Sequence, residues 1–141
     1  MTDITPLDDA GYEALSDFRY ELRRFLAFAE DNAREKGLTV QQHQLLLAIR
    51  GHYAGDVSIN WVAERLLIKP HSASELVNRL ESRSLVIRSR SEHDGRRVCL
   101  RLTPLAEQIL AELSSVHRSE IERIQPSLLR ALRKLSRPKS T

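Results

Sequence analysis

The sequence predicts a mainly α-helical fold with one small β-hairpin, and three observations support this prediction. Apolar residues recur at helical spacing over most of the 141 residues, between capping and glycine signals. Two short helices, predicted near residues 60–66 and 70–83, are joined by about three residues. Directly after them, two alternating strands flank a turn at Asp94-Gly95.

The first two predicted helices lie in the N-terminal part of the chain. Residues 12–36 carry leucine, phenylalanine and alanine on one helical face, and Gly37 is a C-terminal capping signal. Thr39 is a suitable N-cap for a second helix that ends near Gly51.

The third and fourth predicted helices form a helix-turn-helix. Asn60 is the predicted N-cap of the third helix, and Pro70 suits the first turn of the fourth, where a missing N–H costs nothing. Four apolar residues of the fourth helix recur at i, i+3, i+4 and i+7, which predicts a core-facing stripe. They are Ala73, Leu76, Val77 and Leu80.

The hairpin has predicted strands over residues 85–90 and 98–102, with a loop over residues 91–97. Side chains alternate between the two faces of a strand, so one set of the second strand is expected to face the core. That set is Val98, Leu100 and Leu102.

After the hairpin, Thr103 is the predicted N-cap of a long helix with Pro104 at its first position. Pro126 is expected to interrupt this helix. Residues 128–135 are then a last, short amphipathic helix.

The net charge of +3 is unevenly distributed. Residues 1–36 carry 5 basic and 9 acidic side chains, whereas residues 65–101 carry 9 basic and 4 acidic ones. A basic middle beside an acidic start indicates an anionic partner at one face of the molecule.

Several classes of protein are disfavoured. No apolar run reaches the roughly 20 residues of a membrane span, and the acidic N-terminus does not resemble a secretory signal. The single cysteine, Cys99, cannot form an internal disulfide. These three observations predict a cytoplasmic protein. No glycine-rich phosphate loop, nucleophile elbow or metal-ligand spacing among the five histidines is found, so we expect a protein that is not an enzyme and has no metal or cofactor.

The fourth helix presents a polar face opposite its apolar stripe. At 100° per residue, short donors and acceptors cluster there, and such groups suit base edges and phosphates. The candidate nucleic-acid-binding residues of this region are Lys69, His71, Ser72, Ser74, Glu75, Asn78 and Arg79.

The hairpin tip carries adjacent arginines, Arg96 and Arg97, directly after the turn. A guanidinium on a rigid support can enter a narrow, electronegative minor groove at low entropic cost. Asp94 is expected to pair with an arginine and to hold its direction. A helix-turn-helix followed by a basic hairpin is the layout of a winged helix-turn-helix, in which the second helix of the pair enters the major groove.

The motifs in this layout resemble the MarR-type transcriptional regulators. The hairpin matches the family's Asp-x-Arg wing, followed by an alternating strand and Leu-Thr, at Asp94, Arg96 and residues 98–103. Residues 76–81, Leu-Val-Asn-Arg-Leu-Glu, resemble the end of its recognition helix, and Leu85-Val86 with Arg88 its wing start. The resemblance covers about residues 12–135.

The resemblance implies one MarR-like domain over residues 1–141, with a DNA-binding lobe at about 38–103 and a helical dimerisation region at about 12–36 and 104–136. It implies a homodimer on double-stranded DNA with a pseudo-palindromic site, and a repressor that a small aromatic or phenolic effector releases. Two alternatives stay open: a constitutive DNA binder without an effector, and a helical protein-interaction module of the same fold.

Some positions depart from the family pattern. Lys69 stands where a serine or threonine cap is common, Ser84 replaces the usual glycine before the wing, and Glu75 places a carboxylate on the groove face. Cys99 is interpreted as a small strand residue. The effector-binding residues are unknown, although five aromatic or histidine side chains are local candidates: Phe18, His43, His52, Tyr53 and Trp61.

Overall fold

The structure is a computed structural model that describes residues 4–92 and 94–136. These residues form two compact units, residues 30–115 and residues 4–29 with 116–136. The mainly helical fold with a two-stranded antiparallel hairpin confirms the predicted fold class. The elements are α1 (Asp9–Glu35), α2 (Val40–Gly51), α3 (Ile59–Leu66), α4 (Pro70–Ser82), β1 (Val86–Arg90), β2 (Val98–Leu102) and α5 (Pro104–Leu135).

The unit of residues 30–115 contains the helix-turn-helix and the hairpin. In the hairpin, Val86 lies opposite Leu102, and Arg90 lies opposite Val98. The backbone N–H of Leu100 donates to the Val57 carbonyl at 2.8 Å, which attaches the hairpin to the segment before α3. The core is aliphatic, as the low aromatic content of the sequence requires, and its fully buried side chains include Leu38, Leu45, Leu46, Val62, Val77, Leu80, Leu85 and Val86.

The unit of residues 4–29 and 116–136 contains the first part of α1 and the last part of α5. The prediction that Pro126 interrupts the last helix is wrong, because α5 continues through it to Leu135. Proline removes one backbone hydrogen bond and costs about 3 kcal/mol in a helix interior. Ile124 and Ala131 are buried on either side of it, and packing of such an apolar face can outweigh that cost.

The helix caps explain where the helices begin. Thr39 and Gln42 form a reciprocal capping box at α2, and the Thr103 hydroxyl accepts from the Ala106 N–H at 3.2 Å, so both predicted threonine caps are confirmed. The prediction for α3 is wrong: Ser58, not Asn60, is the N-cap, and its hydroxyl accepts from the Trp61 N–H at 3.1 Å. Serine and asparagine cap about equally well, so residue type could not separate them.

Three helices of the chain end in the same left-handed turn. At Gly37, Leu67 and Ser84 the backbone has φ of 73°, 58° and 59°. In each turn the next residue donates back across five residues; at the helix-turn-helix, this bond runs from the Ile68 N–H to the Ala63 carbonyl at 3.0 Å. This pattern is the Schellman motif, which normally uses glycine. Ser84 therefore adopts the conformation of the glycine that it replaces.

Replacing Leu67 with glycine is expected to raise the free energy of unfolding by about 0.5–1 kcal/mol. The left-handed conformation costs a residue with a Cβ about 1–2 kcal/mol, and the greater freedom of glycine in the unfolded chain offsets part of the gain. Leu67 is 92% exposed, so little packing is lost. Urea unfolding measures the change. The control Leu67→Ala keeps the Cβ; an equal gain in both variants would contradict the explanation.

His117 is the buried histidine of the helical unit. Its ring lies 5.9 Å from that of Phe25 in an edge arrangement and 6.1 Å from that of Phe28. Burial disfavours the charged imidazolium, which lowers the pKa of His117 below its usual value.

The lowered pKa of His117 predicts a loss of stability in acid. Below the usual histidine pKa of about 6.5, the unfolded chain binds a proton at this residue that the folded chain does not bind. Stability therefore falls as the pH drops through that value and stops falling at the lower folded pKa. In urea unfolding from pH 8 to 5, His117→Gln is expected to lose this contribution. If the free energies of unfolding of wild type and His117→Gln change with pH in the same way, the assignment of this pH dependence to His117 is contradicted.

None of the helices in the described ranges has the length and apolar character needed to cross a lipid bilayer.

Candidate nucleic-acid interface

Helix α4 has the two faces that the sequence predicts. Ala73, Leu76, Val77 and Leu80 are buried. On the other side, the predicted groove-facing residues are exposed except Ser74, which is half-buried; the exposed ones are His71, Ser72, Glu75, Asn78 and Arg79. Lys69 is the N-cap residue and is exposed, and its side chain makes no capping hydrogen bond. This leaves the start of α4 without a side-chain acceptor for its free N–H groups, which suits an anion there.

The acidic residue on this face, Glu75, has a histidine neighbour. His71 Nε2 lies 3.2 Å from Glu75 Oε1, one helical turn away. Glu75 therefore has a polar partner within α4 itself.

Arg88 connects β1 to α4. Its Nη2 donates to Asn78 Oδ1 at 2.8 Å, and its Nη1 lies 3.6 Å from Glu81 Oε1. The structure thus brings together Asn78 and Arg88, which are ten residues apart in the chain. Arg90, two residues further along β1, is exposed and was not among the candidate residues, although the period of two along the strand places it on the same face as Arg88.

The tip of the hairpin is held by backbone hydrogen bonds. The Arg97 N–H donates to the Asp94 carbonyl, and the Ser91 N–H donates to the Arg97 carbonyl, both at 2.9 Å. The Ser91 hydroxyl donates to Asp56, a contact that the sequence did not reveal because the two residues are distant in the chain. Arg96 and Arg97 are exposed at this tip. His93, also in this loop, lies outside the described residues.

Asp94 acts differently from the prediction. Its Oδ1 accepts from the backbone N–H of Arg96 at 3.0 Å and is not paired with a guanidinium in the described contacts. An aspartate readily bonds the backbone two residues on, in an Asx-turn. Asp94 therefore shapes the backbone that carries Arg96 and leaves the arginine side chain available.

The strand behind the tip is also packed differently. Val98 is 54% exposed and does not face the core as predicted, whereas Leu100 is buried and Leu102 half-buried. Val98 pairs with Arg90 at the outer end of the hairpin, beyond the core. Cys99 is buried on the other face, with its Sγ 3.2 Å from the Ser89 Oγ. The strand is covered on both faces near its middle, which an alternating pattern does not predict.

The helix-turn-helix lies in a part of the chain whose sequence matches the model of a known family. Residues 36–97 match the sequence model described as MarR family, and this stretch contains the helix-turn-helix and most of the hairpin. Residues 36–97 are therefore similar to the MarR family, and we call them the MarR-like segment.

Individual relatives of the chain are distant. Over 73 residues the chain is 29% identical to the HTH-type transcriptional repressor MdtR of Bacillus subtilis (strain 168), a match that covers 52% of this chain and 46% of MdtR. The chain thus matches about half the length of this curated relative.

Two solved structures of one Staphylococcus aureus protein share the fold. The crystal structure of MepR, a transcription regulator of the multidrug efflux pump MepA, has a TM-score of 0.70 and 20% identity, with 84% of this chain and 96% of MepR covered. The crystal structure of a MepR–DNA complex has a TM-score of 0.66 and 21% identity, with 79% and 81% covered. At 20% and 21% sequence identity, this similarity shows that the chain shares the fold of these structures.

The aromatic candidates for effector binding are only partly brought together. Within the MarR-like segment, the rings of His52 and Trp61 lie 4.4 Å apart and line a groove of about 560 Å³ between α2 and α3. Tyr53 lines a different cavity with His52, and His43 is buried. Phe18 belongs to the helical unit.

No three histidine, cysteine, aspartate or glutamate side chains among residues 4–92 and 94–136 form a group that could hold a metal ion.

Proposed function

We propose that this chain is a sequence-specific, DNA-binding transcription regulator that acts as a repressor. The observation that carries the proposal is the combination of an exposed polar face on α4 with a hydrogen-bonded hairpin tip that presents Arg96 and Arg97, within the MarR-like segment. The curated relative is a transcriptional repressor, and the structurally similar MepR has been solved with DNA.

In this proposal α4 enters the major groove and the hairpin contacts the adjacent backbone or minor groove. The groove is wide enough for one helix, and short polar side chains on its exposed face suit base edges and phosphates. The residues proposed to form the DNA-binding surface are Lys69, His71, Ser72, Ser74, Glu75, Asn78, Arg79, Arg88, Asp94, Arg96 and Arg97.

We also propose a homodimer, with residues 38–103 as the DNA-binding lobe and residues 12–36 and 104–136 as the dimerisation region. Large apolar side chains are exposed along the two long helices, and contiguous exposed apolar surface marks an association site. They include Tyr12, Leu15, Leu22 and Leu26 of α1 and Val116, Ile121, Leu129 and Leu132 of α5. A two-fold dimer places two α4 helices on the half-sites of a pseudo-palindrome.

A small aromatic or phenolic effector completes the proposed regulation, and the protein is proposed to work in the cytoplasm, where its DNA target would be found. A fluorescence titration of the DNA complex with a panel of phenolic compounds tests the effector. Dissociation of the complex by a compound supports regulated repression. A complex that resists the whole panel supports a constitutive DNA binder.

Selection of bound sequences from random duplex DNA tests the proposed function as a whole. We expect enrichment of an inverted repeat whose half-sites are about 10 base pairs apart, centre to centre. Recovery of unenriched random sequence would contradict sequence-specific binding. Absence of any DNA retention at low salt would favour the alternative, a protein-interaction module of the same fold.

A further inference from the structure

One side-chain hydrogen bond joins the hairpin to the exposed face of α4. It runs from Arg88 Nη2, on β1, to the amide oxygen of Asn78 at 2.8 Å. The same guanidinium lies 3.6 Å from Glu81, which follows Asn78 by three residues on α4. The side chain of Arg88 is about one-third exposed, and this ion pair holds it against the helix.

This contact determines which way the Asn78 amide is turned. A guanidinium has only donors, so the atom of Asn78 that faces Arg88 must be the oxygen and not the nitrogen. The bond is charge-assisted, and such bonds are shorter and stronger than neutral ones. The amide nitrogen, with its two N–H groups, therefore points away from Arg88, and Asn78 is exposed.

The orientation has a consequence for base recognition. In the major groove guanine presents two acceptors, N7 and O6, whereas adenine presents one acceptor and one donor. The usual bidentate contact of asparagine with adenine uses its oxygen as an acceptor. In this chain that oxygen already accepts from Arg88 with one of its two lone pairs, and the amide N–H groups face away from Arg88.

We propose that Asn78 is a specificity-determining residue that acts as a donor and selects guanine, and that Arg88 is the positioning residue that sets this choice. The inference rests on the proposed function, since it requires α4 to lie in the major groove. Arg88 itself acts through Asn78 and need not touch a base.

The charge of Arg88 affects DNA binding separately from the orientation of Asn78. Removing Arg88 leaves Glu81 without its partner, which adds repulsion against phosphate and weakens binding to every sequence. The informative quantity is therefore the ratio of affinities for two bases at one position. Arg90→Met is the matched control, because it removes the same charge from the same strand.

The experiment starts from a duplex that the wild-type protein enriches from random DNA. The contacted base pair is the one at which Asn78→Ala loses its base preference. Dissociation constants for duplexes with guanine or adenine at that pair are then measured by fluorescence anisotropy. The proteins compared are wild type, Arg88→Met, Arg88→Lys and Arg90→Met, each checked for folding by circular dichroism.

For wild type we expect a preference for guanine of roughly tenfold. Arg88→Met should bring the ratio close to one or reverse it in favour of adenine, because the oxygen is released. Arg88→Lys, which also has only donors, should keep the preference, and so should Arg90→Met. If Arg88→Met does not fold, Arg88→Leu, which also lacks a side-chain donor, replaces it, with the same expected loss of preference.

A guanine preference that persists in folded Arg88→Met or Arg88→Leu would overturn the inference alone. So would a wild-type preference for adenine, or an Asn78→Ala variant with unchanged preferences. A wild-type protein that enriches no sequence would overturn the proposed function and this inference with it.

Discussion

Replacing Arg96 with alanine is expected to weaken binding to every duplex, by about 1–3 kcal/mol, with a further loss at sites that have a narrow A·T-rich minor groove. Arg96 is exposed at the hairpin tip, and its backbone N–H is bonded to Asp94 at 3.0 Å. This hydrogen bond restrains the backbone at Arg96 before DNA binds, so less backbone entropy is lost when the guanidinium is held in the groove.

Anisotropy titrations at several salt concentrations measure this effect. The slope of log affinity against log salt should fall by about one ion if a phosphate contact is lost. Folding should hardly change, because an exposed tip contributes little to the core. Asp94→Ala should be milder, since Asp94 shapes the backbone beneath Arg96. Arg50→Ala removes the same charge from an exposed site on α2, outside the proposed DNA-binding residues, and is the control. Equal affinities of Arg96→Ala and wild type at all salt concentrations would mean that the hairpin does not contact DNA.

The double substitution Leu26→Glu with Leu132→Glu is expected to convert a dimer into a monomer and to reduce affinity for a two-half-site duplex by roughly 10²–10⁴-fold. These side chains are 53% and 41% exposed, so their replacement should leave the fold of a single chain intact. Two charges in an apolar interface are costly to bury. A dimer binds both half-sites of one duplex, and the linkage of these two contacts raises the overall affinity. A monomer binds only one half-site and loses this gain.

Sedimentation velocity and DNA titration together test this expectation. A chain that ends before Gln125 should lose dimerisation and specific binding in the same way. Tyr53→Glu is the control, because it adds the same charge at an exposed aromatic residue outside the two long helices. A wild-type protein that sediments as a stable monomer and still binds one site tightly would contradict the proposed dimer.

Much of the fold could be predicted from local patterns. The bounds of β2, the caps at Thr39 and Thr103 and the buried stripe of α4 all follow from residue types and spacing within a few positions. The groove-facing set on α4 follows from the same helical period, because a buried stripe leaves the opposite face exposed.

The parts that could not be predicted depend on contacts between distant residues. The path of α5 through Pro126 is set by packing, which outweighs the local penalty of proline. The exposure of Val98 and the burial of Cys99 depend on where the core ends along the hairpin. The Arg88–Asn78 bond joins a strand to a helix, and no spacing rule places those side chains together.

The hydrogen bond of Asp94 could not be predicted from the sequence for a different reason. Its motif was visible in the sequence, but a carboxylate beside an arginine can bond either the guanidinium or the backbone. The structure has the backbone contact, at 3.0 Å from the Arg96 nitrogen.

The most direct test of the central claim, that this chain recognises DNA by sequence, is a pair of anisotropy titrations at physiological salt. One uses the duplex enriched from random DNA, and the other uses a scrambled duplex of the same length and composition. We predict that the protein binds the enriched duplex roughly 10³-fold or more tightly than the scrambled one. Equal affinity for the two duplexes would contradict sequence-specific recognition.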